Sequence, residues 1–321
     1  MLKKVAKVRI GITMGDPSGI GPEIIARAFP AARRLGEIVV IGDEGVFNRF
    51  PVHRSPLTGK INFIDLKNVK GKGFKFGRVK AEYGRASIEY LDKAVDLLRS
   101  GAIDCLVTGP ISKESINLAG FHYSGHTEYL SERTKVKDVV MMLLNDTVRF
   151  SLVTRHVPLR EVSGRITGPL LAGTVEETFF ALRNMFGIAK PAIVVCGLNP
   201  HASDNGVIGK EESRVIRPVL KRLRFNGCVI HGPVSADIAI ARACAGKYDA
   251  VVCMYHDQAL IPLKLTGAGS GVNVTLGLPF IRTSPLHGTA FDIAGKNKAD
   301  PSSLIAAIKL AAQCAQNQKR A

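Results

Sequence analysis

The chain has 321 residues, is 46% hydrophobic and 22% charged, and carries a formal net charge of +17. That length is about two domains' worth, and that apolar content excludes a disordered chain. No apolar run reaches the roughly 18 residues of a membrane span, and the basic stretch Met1–Ile10 lacks a signal peptide's apolar segment; the reading is a cytoplasmic protein with no membrane contact.

In chain order, Val8–Thr13 reads as a strand, followed by the loop Met14-Gly-Asp-Pro-Ser-Gly-Ile-Gly-Pro-Glu23 and an apolar-periodic helix over Ile24–Phe29. Pro22 suits a first helical turn, and Glu23 complements the positive helix end. Gly19-Ile-Gly21 lacks the third glycine of a dinucleotide fingerprint. What remains is a helix start able to face an anion, with Asp16 nearby. Glu37–Gly42 is a second strand.

Lys60–Arg85 is the densest basic run, with Phe74 and Phe76 interleaved. No recognition helix, RNP motif or zinc finger accompanies it. It reads as a solvated hairpin and not as a nucleic-acid surface. Positive charge can instead draw in an anionic substrate.

Ala81–Ser100 is a helix, and Cys105–Thr108 a strand leading to a helix start that carries Lys113. His122 and His126 follow, but Ser124-Gly125 breaks any helix that would pair them on a metal. Thr127 reads as a helix N-cap, which leaves His126 placed for an anion or a substrate oxygen. Val139–Leu144 and Val148–Thr154 form a strand pair joined at Asn145-Asp146-Thr147, ending at Arg155-His156. Ile166–Phe186 is a long amphipathic helix. Ala192–Gly197 is a strand ending in Leu198-Asn-Pro-His201. Glu211–Leu223 and Val234–Ala245 are helices, the latter opening at Ser235 and Asp237, and Ala299–Gln313 closes the chain.

The richest stretch is Asp249–Thr289. A buried strand, Ala250–Met254, stops at Tyr255-His256-Asp257-Gln258, where open α/β sheets place their ligand crevice. Lys264, a glycine-rich loop over 266–272, Asn273 and Arg282 follow. One imidazole, one carboxylate and two cations suit a metal and an anionic small molecule. The six cysteines form no CxxC pair, which argues against a zinc–thiolate site or a disulfide framework.

His156, His201 and His256 are 45 and 55 residues apart but share one address, each just past a strand. Neighbouring strands would bring them to one sheet edge, where three imidazoles make a divalent-metal site with an open position.

The strings TMGDPSGIGPEI, TGPISKESINLAG, GHTEYL, TRHVPL, CGLNPHASDNG, MYHDQALIPLK and GVNVTLGLPFIRTSPLHGTA closely resemble the 4-hydroxythreonine-4-phosphate dehydrogenase family of pyridoxal phosphate biosynthesis, in the same order from about Gly11 to Ile308. The resemblance implies an α/β, two-domain isocitrate/isopropylmalate dehydrogenase-like fold. Its active site would lie in the interdomain cleft at a dimer interface. Residues 1–130 plus 280–321 would form a discontinuous first domain, and 131–279 a second carrying dimerisation and the metal site.

It implies metal ligands at His156, His201 and His256 and substrate contacts at His126, Thr127, Lys264, Asn273 and Arg282. Cofactors would be NAD or NADP and a divalent metal (zinc, magnesium or cobalt), and the partners a small phosphorylated substrate and a second copy of the chain. The activity implied is oxidation of 4-phosphooxy-L-threonine to a 2-amino-3-oxo acid that decarboxylates to 3-amino-2-oxopropyl phosphate. Lys113 and Asp237 are candidates for the general base. Two alternatives stay open: a related dehydrogenase of a phosphothreonate, a phosphoerythronate or a diol, and a metal-dependent phosphatase or phosphoester-binding protein.

Overall fold

The computed structural model describes residues 7–50, 61–267 and 269–320. The N-terminal residues 1–6, Lys60 of the basic run and Ala268 of the glycine-rich loop lie outside the described residues. The strands are β1 Arg9–Thr13, β2 Glu37–Gly42, β3 Asn62–Asp65, β4 Cys105–Thr108, β5 Val140–Leu144, β6 Arg149–Leu152, β7 Ala192–Cys196, β8 Val229–Val234, β9 Ala250–Cys253, β10 Val272–Leu276 and β11 Ile281–Pro285. The helices are α1 Gly21–Ala32, α2 Glu44–Phe47, α3 Ala81–Arg99, α4 Lys113–Leu118, α5 His126–Thr134, α6 Leu159–Arg165, α7 Gly168–Asn184, α8 Arg217–Arg222, α9 Ala236–Cys244, α10 His256–Thr266 and α11 Ser302–Gln318.

Two compact units divide the chain, one of Met1–Lys137 with Leu278–Lys319 and one of Asp138–Gly277 with Arg320–Ala321. In the first, the strand order is β3-β2-β1-β4-β11, parallel throughout. Ile10, Ile12, Val40, Ile41, Leu106 and Val107 are almost wholly buried. Near-continuous apolar strands are what a parallel sheet covered on both faces requires. The loop after β1 meets the loop after β4 at contact distance. A Cβ on Gly21 would stand 2.0 Å from the Met14 carbonyl oxygen, and one on Gly109 2.5 Å from it.

The second unit has the order β10-β5-β6-β9-β7-β8. β10–β5 and β5–β6 are antiparallel, joined across the Asn145 turn in the second case. β6–β9, β9–β7 and β7–β8 are parallel. Leu171, Val175 and Leu182 of α7 pack on Ile193, Val195 and Val252 of the sheet. With β6, β9 and β7 parallel and adjacent, their carboxyl ends lie along one edge.

Several expectations need correction. The basic run is not a hairpin: β3 passes into irregular chain and then α3. Phe74 is buried against Phe76 and Tyr83 instead of offering a stacking face, because an apolar ring gains more from the core than from water. Helix α5 starts at His126 with Gly125 as its N-cap, so Thr127 sits inside the first turn. Glu211–Leu223 is not one α-helix: a wider π-type turn over Glu212–Ile216 precedes α8.

Gly84 lies mid-helix in α3, where alanine is ordinarily favoured by about 1 kcal/mol. A Cβ there would sit 2.0 Å from the Ser115 carbonyl oxygen of α4. Gly84→Ala should therefore destabilise the protein by about 1–3 kcal/mol, as overpacking does, read as a lowered denaturation midpoint. A raised midpoint would show that α3 and α4 do not approach this closely.

Candidate active site

Two groups of polar side chains stand at strand ends, one in each unit. In the first unit the centre is Arg282, only 1% exposed. Its Nε and Nη2 donate to Thr108 Oγ1 at 3.1 and 2.6 Å. Burial pushes the guanidinium down to about 9, with Glu128 opposing. It is therefore still a cation at neutral pH, and a buried cation favours an anion beside it.

His126 is the neighbour that pins this environment. Burial, and then the charge of Arg282, hold its imidazole well below the usual histidine value, while a hydrogen bond to the Gly109 backbone opposes them. The neutral ring keeps Nε2 buried without a hydrogen-bond partner. On a ring that donates from its other nitrogen, Nε2 is an acceptor awaiting a donor such as a hydroxyl or an ammonium. Thr127 follows, buried in the first turn of α5. Exposed Lys113 opens α4, capped by Ser112 Oγ, which accepts from the Ser115 backbone N–H at 3.1 Å.

Asp16, in the loop after β1, was legible only as a nearby acid. It is 0% exposed, and its Oδ1 accepts from the Ser18 N–H at 2.9 Å. Burial lifts its carboxyl to about 6.

In the second unit the adjacent strand ends deliver the three histidines. His156 and His256 face each other with ring centroids 5.4 Å apart. Asp257 Oδ1 lies 2.7 Å from His256 Nδ1, which occupies that nitrogen and makes Nε2 the one available to a ligand. Asp257 is a site residue to which sequence reasoning gave no individual role, although its adjacency to His256 was the available signal. His201 lies in the tight turn Pro200–Gly206, in the neighbourhood of Asp237. Asp237, fully exposed in the first turn of α9, is held below the usual carboxylate range mainly by the Ser235 hydroxyl.

Among the described residues, no three His, Cys, Asp or Glu side chains are gathered tightly enough to hold a metal ion within one chain. The donor set nevertheless fits a divalent ion in kind: imidazoles at one sheet edge, one of them oriented by a carboxylate. Lys264 is exposed on α10, and Asn273 on β10 has a buried Oδ1 without a partner. The expected substrate contacts therefore fall into two sets, His126, Thr127 and Arg282 in the first unit and Lys264 and Asn273 in the second.

Comparison with known proteins decides the family. Residues 31–311 match the family described as pyridoxal phosphate biosynthetic protein PdxA. The chain belongs to the PdxA family. A 4-hydroxythreonine-4-phosphate dehydrogenase of Desulforapulum autotrophicum is 44% identical over 94% of this chain and 94% of its own length. A crystal structure of a 4-hydroxythreonine-4-phosphate dehydrogenase from Klebsiella pneumoniae is 37% identical with a TM-score of 0.87, covering 97% of this chain and all (100%) of that one. A terephthalate 1,2-cis-dihydrodiol dehydrogenase from Burkholderia xenovorans is more distant, 30% identical with a TM-score of 0.69 over 95% and 98% of the two chains. No helix of this PdxA family member, among its described residues, is long and apolar enough to cross a membrane.

The His126 environment makes a definite pH prediction. Its folded value lies below its unfolded one, so on acidification the unfolded chain takes the proton first. Stability from this group is present above about pH 6.5 and is lost as pH falls below it. The His126 ring signal in an NMR titration should show a midpoint well below the usual histidine value. A midpoint near 6.5 would mean that the ring is solvated and that Arg282 does not face it.

Proposed function

We propose that this chain is a 4-hydroxythreonine-4-phosphate dehydrogenase, oxidising the secondary alcohol of 4-phosphooxy-L-threonine with a nicotinamide cofactor, NAD or NADP, in pyridoxal phosphate biosynthesis. The observation that carries the reading is the buried Arg282 cation beside a neutral His126, within a chain 44% identical over nearly its full length to a curated relative of that activity. A bound nicotinamide would supply the hydride acceptor for the carbinol hydrogen, and the hydroxyl proton would pass to a base. The resulting 2-amino-3-oxo acid has its ketone one carbon removed from the carboxylate, so carbon dioxide would depart readily, and the enolate left would take up a proton to give 3-amino-2-oxopropyl phosphate.

Arg282 and Lys264 would hold the anionic groups of the substrate, arginine through its planar fork. His126 would accept from a substrate hydroxyl or ammonium at Nε2, with Thr127 and Asn273 completing the polar contacts. Asp237, held ionised by Ser235, and Lys113 are the two candidates to take the hydroxyl proton. His156, His201 and His256 would hold a divalent ion, zinc, magnesium or cobalt, which when bound polarises the alcohol and lowers its pKa.

We also propose a homodimer whose metal sites draw histidines from both copies. Two observations support it. No three-ligand cluster forms within the described residues of one chain. Large apolar side chains of the second unit also stand in solvent, including Leu159 at 74%, Val207 at 82% and Leu265 at 83% exposure. Apolar side chains this exposed are available to a contact with a second copy. A second reading, a diol or phosphorylated hydroxy-acid dehydrogenase of the same fold, is favoured by the dihydrodiol dehydrogenase relative.

The deciding experiment mixes protein, nicotinamide cofactor, a divalent ion and a panel of phosphorylated hydroxy acids and diols, and follows the reduced-nicotinamide band. The reading expects the highest kcat/KM with 4-phosphooxy-L-threonine. A higher value with a diol would hand the function to the second reading, and phosphate release without cofactor reduction would sink both. Arg282→Lys keeps the charge but loses the fork and should lower kcat/KM about tenfold or more, since charge-assisted hydrogen bonds are worth about 1.5–3 kcal/mol. Unchanged kinetics in that variant would move the anion site elsewhere.

A further inference from the structure

The three histidine-bearing segments are tied together just below their rings by one chain of buried hydrogen bonds. Its node is the backbone of Met254, itself 0% exposed and two residues before His256. The Met254 carbonyl accepts from the Thr154 N–H at 3.2 Å and from Thr154 Oγ1 at 2.7 Å. Thr154 stands two residues before His156. On its other side, the Met254 N–H donates to Gln258 Oε1 at 2.7 Å. Gln258 Nε2 then donates to the Gly197 carbonyl at 2.9 Å, where the chain leaves β7 toward His201. One carboxamide thus spans the ends of β9 and β7, and one hydroxyl spans the ends of β6 and β9.

The orientation of that carboxamide is forced. A backbone N–H can only donate and a carbonyl can only accept, so Oε1 must face Met254 and Nε2 must face Gly197. Glutamate lacks the donor, asparagine is shorter by a methylene, and methionine lacks both strong groups. Gln258 and Thr154 are 8% and 4% exposed, so neither bond is weakened by competing water.

Beyond Gly197 the chain is held as firmly. Asn199 donates from its backbone to Glu212 Oε1 at 2.8 Å, and from Nδ2 to Glu211 Oε2 at 2.8 Å and Glu212 Oε2 at 2.9 Å. His201, Ala202, Ser203, Asp204 and Asn205 then all adopt positive φ, at 54°, 51°, 71°, 43° and 53°. Left-handed backbone in residues with a Cβ is unfavourable, and it persists only where the surroundings over-determine it. The turn is therefore a built feature that fixes where His201 departs from the sheet edge.

The geometry points to Thr154 and Gln258 as positioning residues that fix where the segments carrying His156, His256 and His201 leave the sheet edge, and so where each imidazole is presented to a metal site shared between two copies, Thr154 linking the His156 and His256 segments and Gln258 linking those of His256 and His201. This rests on the metal reading of the three histidines. Neither residue touches the reacting atoms; each acts through the backbone that carries a ligand. Outer partners of this kind typically govern metal affinity by about 10–100-fold.

The test uses the full-length chain stripped of metal by a chelator and titrated calorimetrically with cobalt(II), with the thermal midpoint of the metal-free protein measured in parallel. Thr154→Val keeps the shape and removes the hydroxyl; Gln258→Met keeps the length and removes both polar ends. Each should weaken cobalt binding about 10–100-fold, whereas Thr154→Ser should restore affinity to within about threefold of the parent chain, because the hydroxyl is what matters. If Gln258→Met fails to fold, the Thr154→Val and Thr154→Ser pair decides alone. Parent-like cobalt affinity in Thr154→Val, with only the midpoint lowered, would reduce the brace to ordinary structure and overturn the inference. His256→Ala separates the two levels. Loss of cobalt binding there with retention in the brace variants overturns the positioning role alone. A parent chain that takes up no cobalt overturns the metal reading and the brace with it.

Discussion

The parallel pairing of β6, β9 and β7 is the constraint on which the proposed metal site depends. Strands in parallel register end at the same edge, so Phe150↔Val251 and Val194↔Val251 together set three chain exits side by side. The core beneath them is apolar and dry, with Val195, Val252, Cys196 and Cys253 at 0% exposure. An imidazole leaving such an edge starts from a rigid base, as a metal site requires. Were β6 antiparallel to β9, His156 would leave at the opposite edge and the set would not exist.

The first unit solves a different problem by the same means. Its parallel order puts the ends of β1 and β4 together, and glycines let their loops touch. Arg282 enters β11 beside β4 and meets Thr108 at that strand's last residue. Burial keeps His126 neutral, so a cation and an acceptor nitrogen stand side by side. Both would be much weaker recognition elements in water, where charge is screened and hydrogen bonds exchange.

Much of this was legible in the sequence, and the reasons are local. Ala250–Met254 and Cys105–Thr108 are short apolar runs bounded by abrupt polar or Gly-Pro stops, so strand and edge could both be read. The shared address of the three histidines followed from those stops. Asn273 came only from the family resemblance, because a polar residue in an apolar strand has no local signature. β3 and β8 were missed because each lies at the end of its strand order and is largely unburied, which removes the apolar signal. The left-handed turn at His201–Asn205 could not be seen, since Ala and Ser there disfavour positive φ and the modest preference of His, Asp and Asn for it is met in single residues and not in a run of five. The bonds from Asn199 to Glu211 and Glu212 that anchor the start of the turn are equally invisible in the sequence. Gln258 read as one more polar residue after a strand; its role needs the positions of Met254 and Gly197 together.

The claim most open to a direct test is that two copies of the chain complete each other's metal sites. Chains carrying His156→Ala, His201→Ala or His256→Ala alone should each be inactive. Mixed in pairs after subunit exchange, at least one pair should recover about a quarter of the parent activity, since random pairing makes half the dimers mixed and each mixed dimer holds one intact site of two. No recovery in any of the three pairs, with exchange verified, would show that the histidines of a site all belong to one chain and would contradict the account.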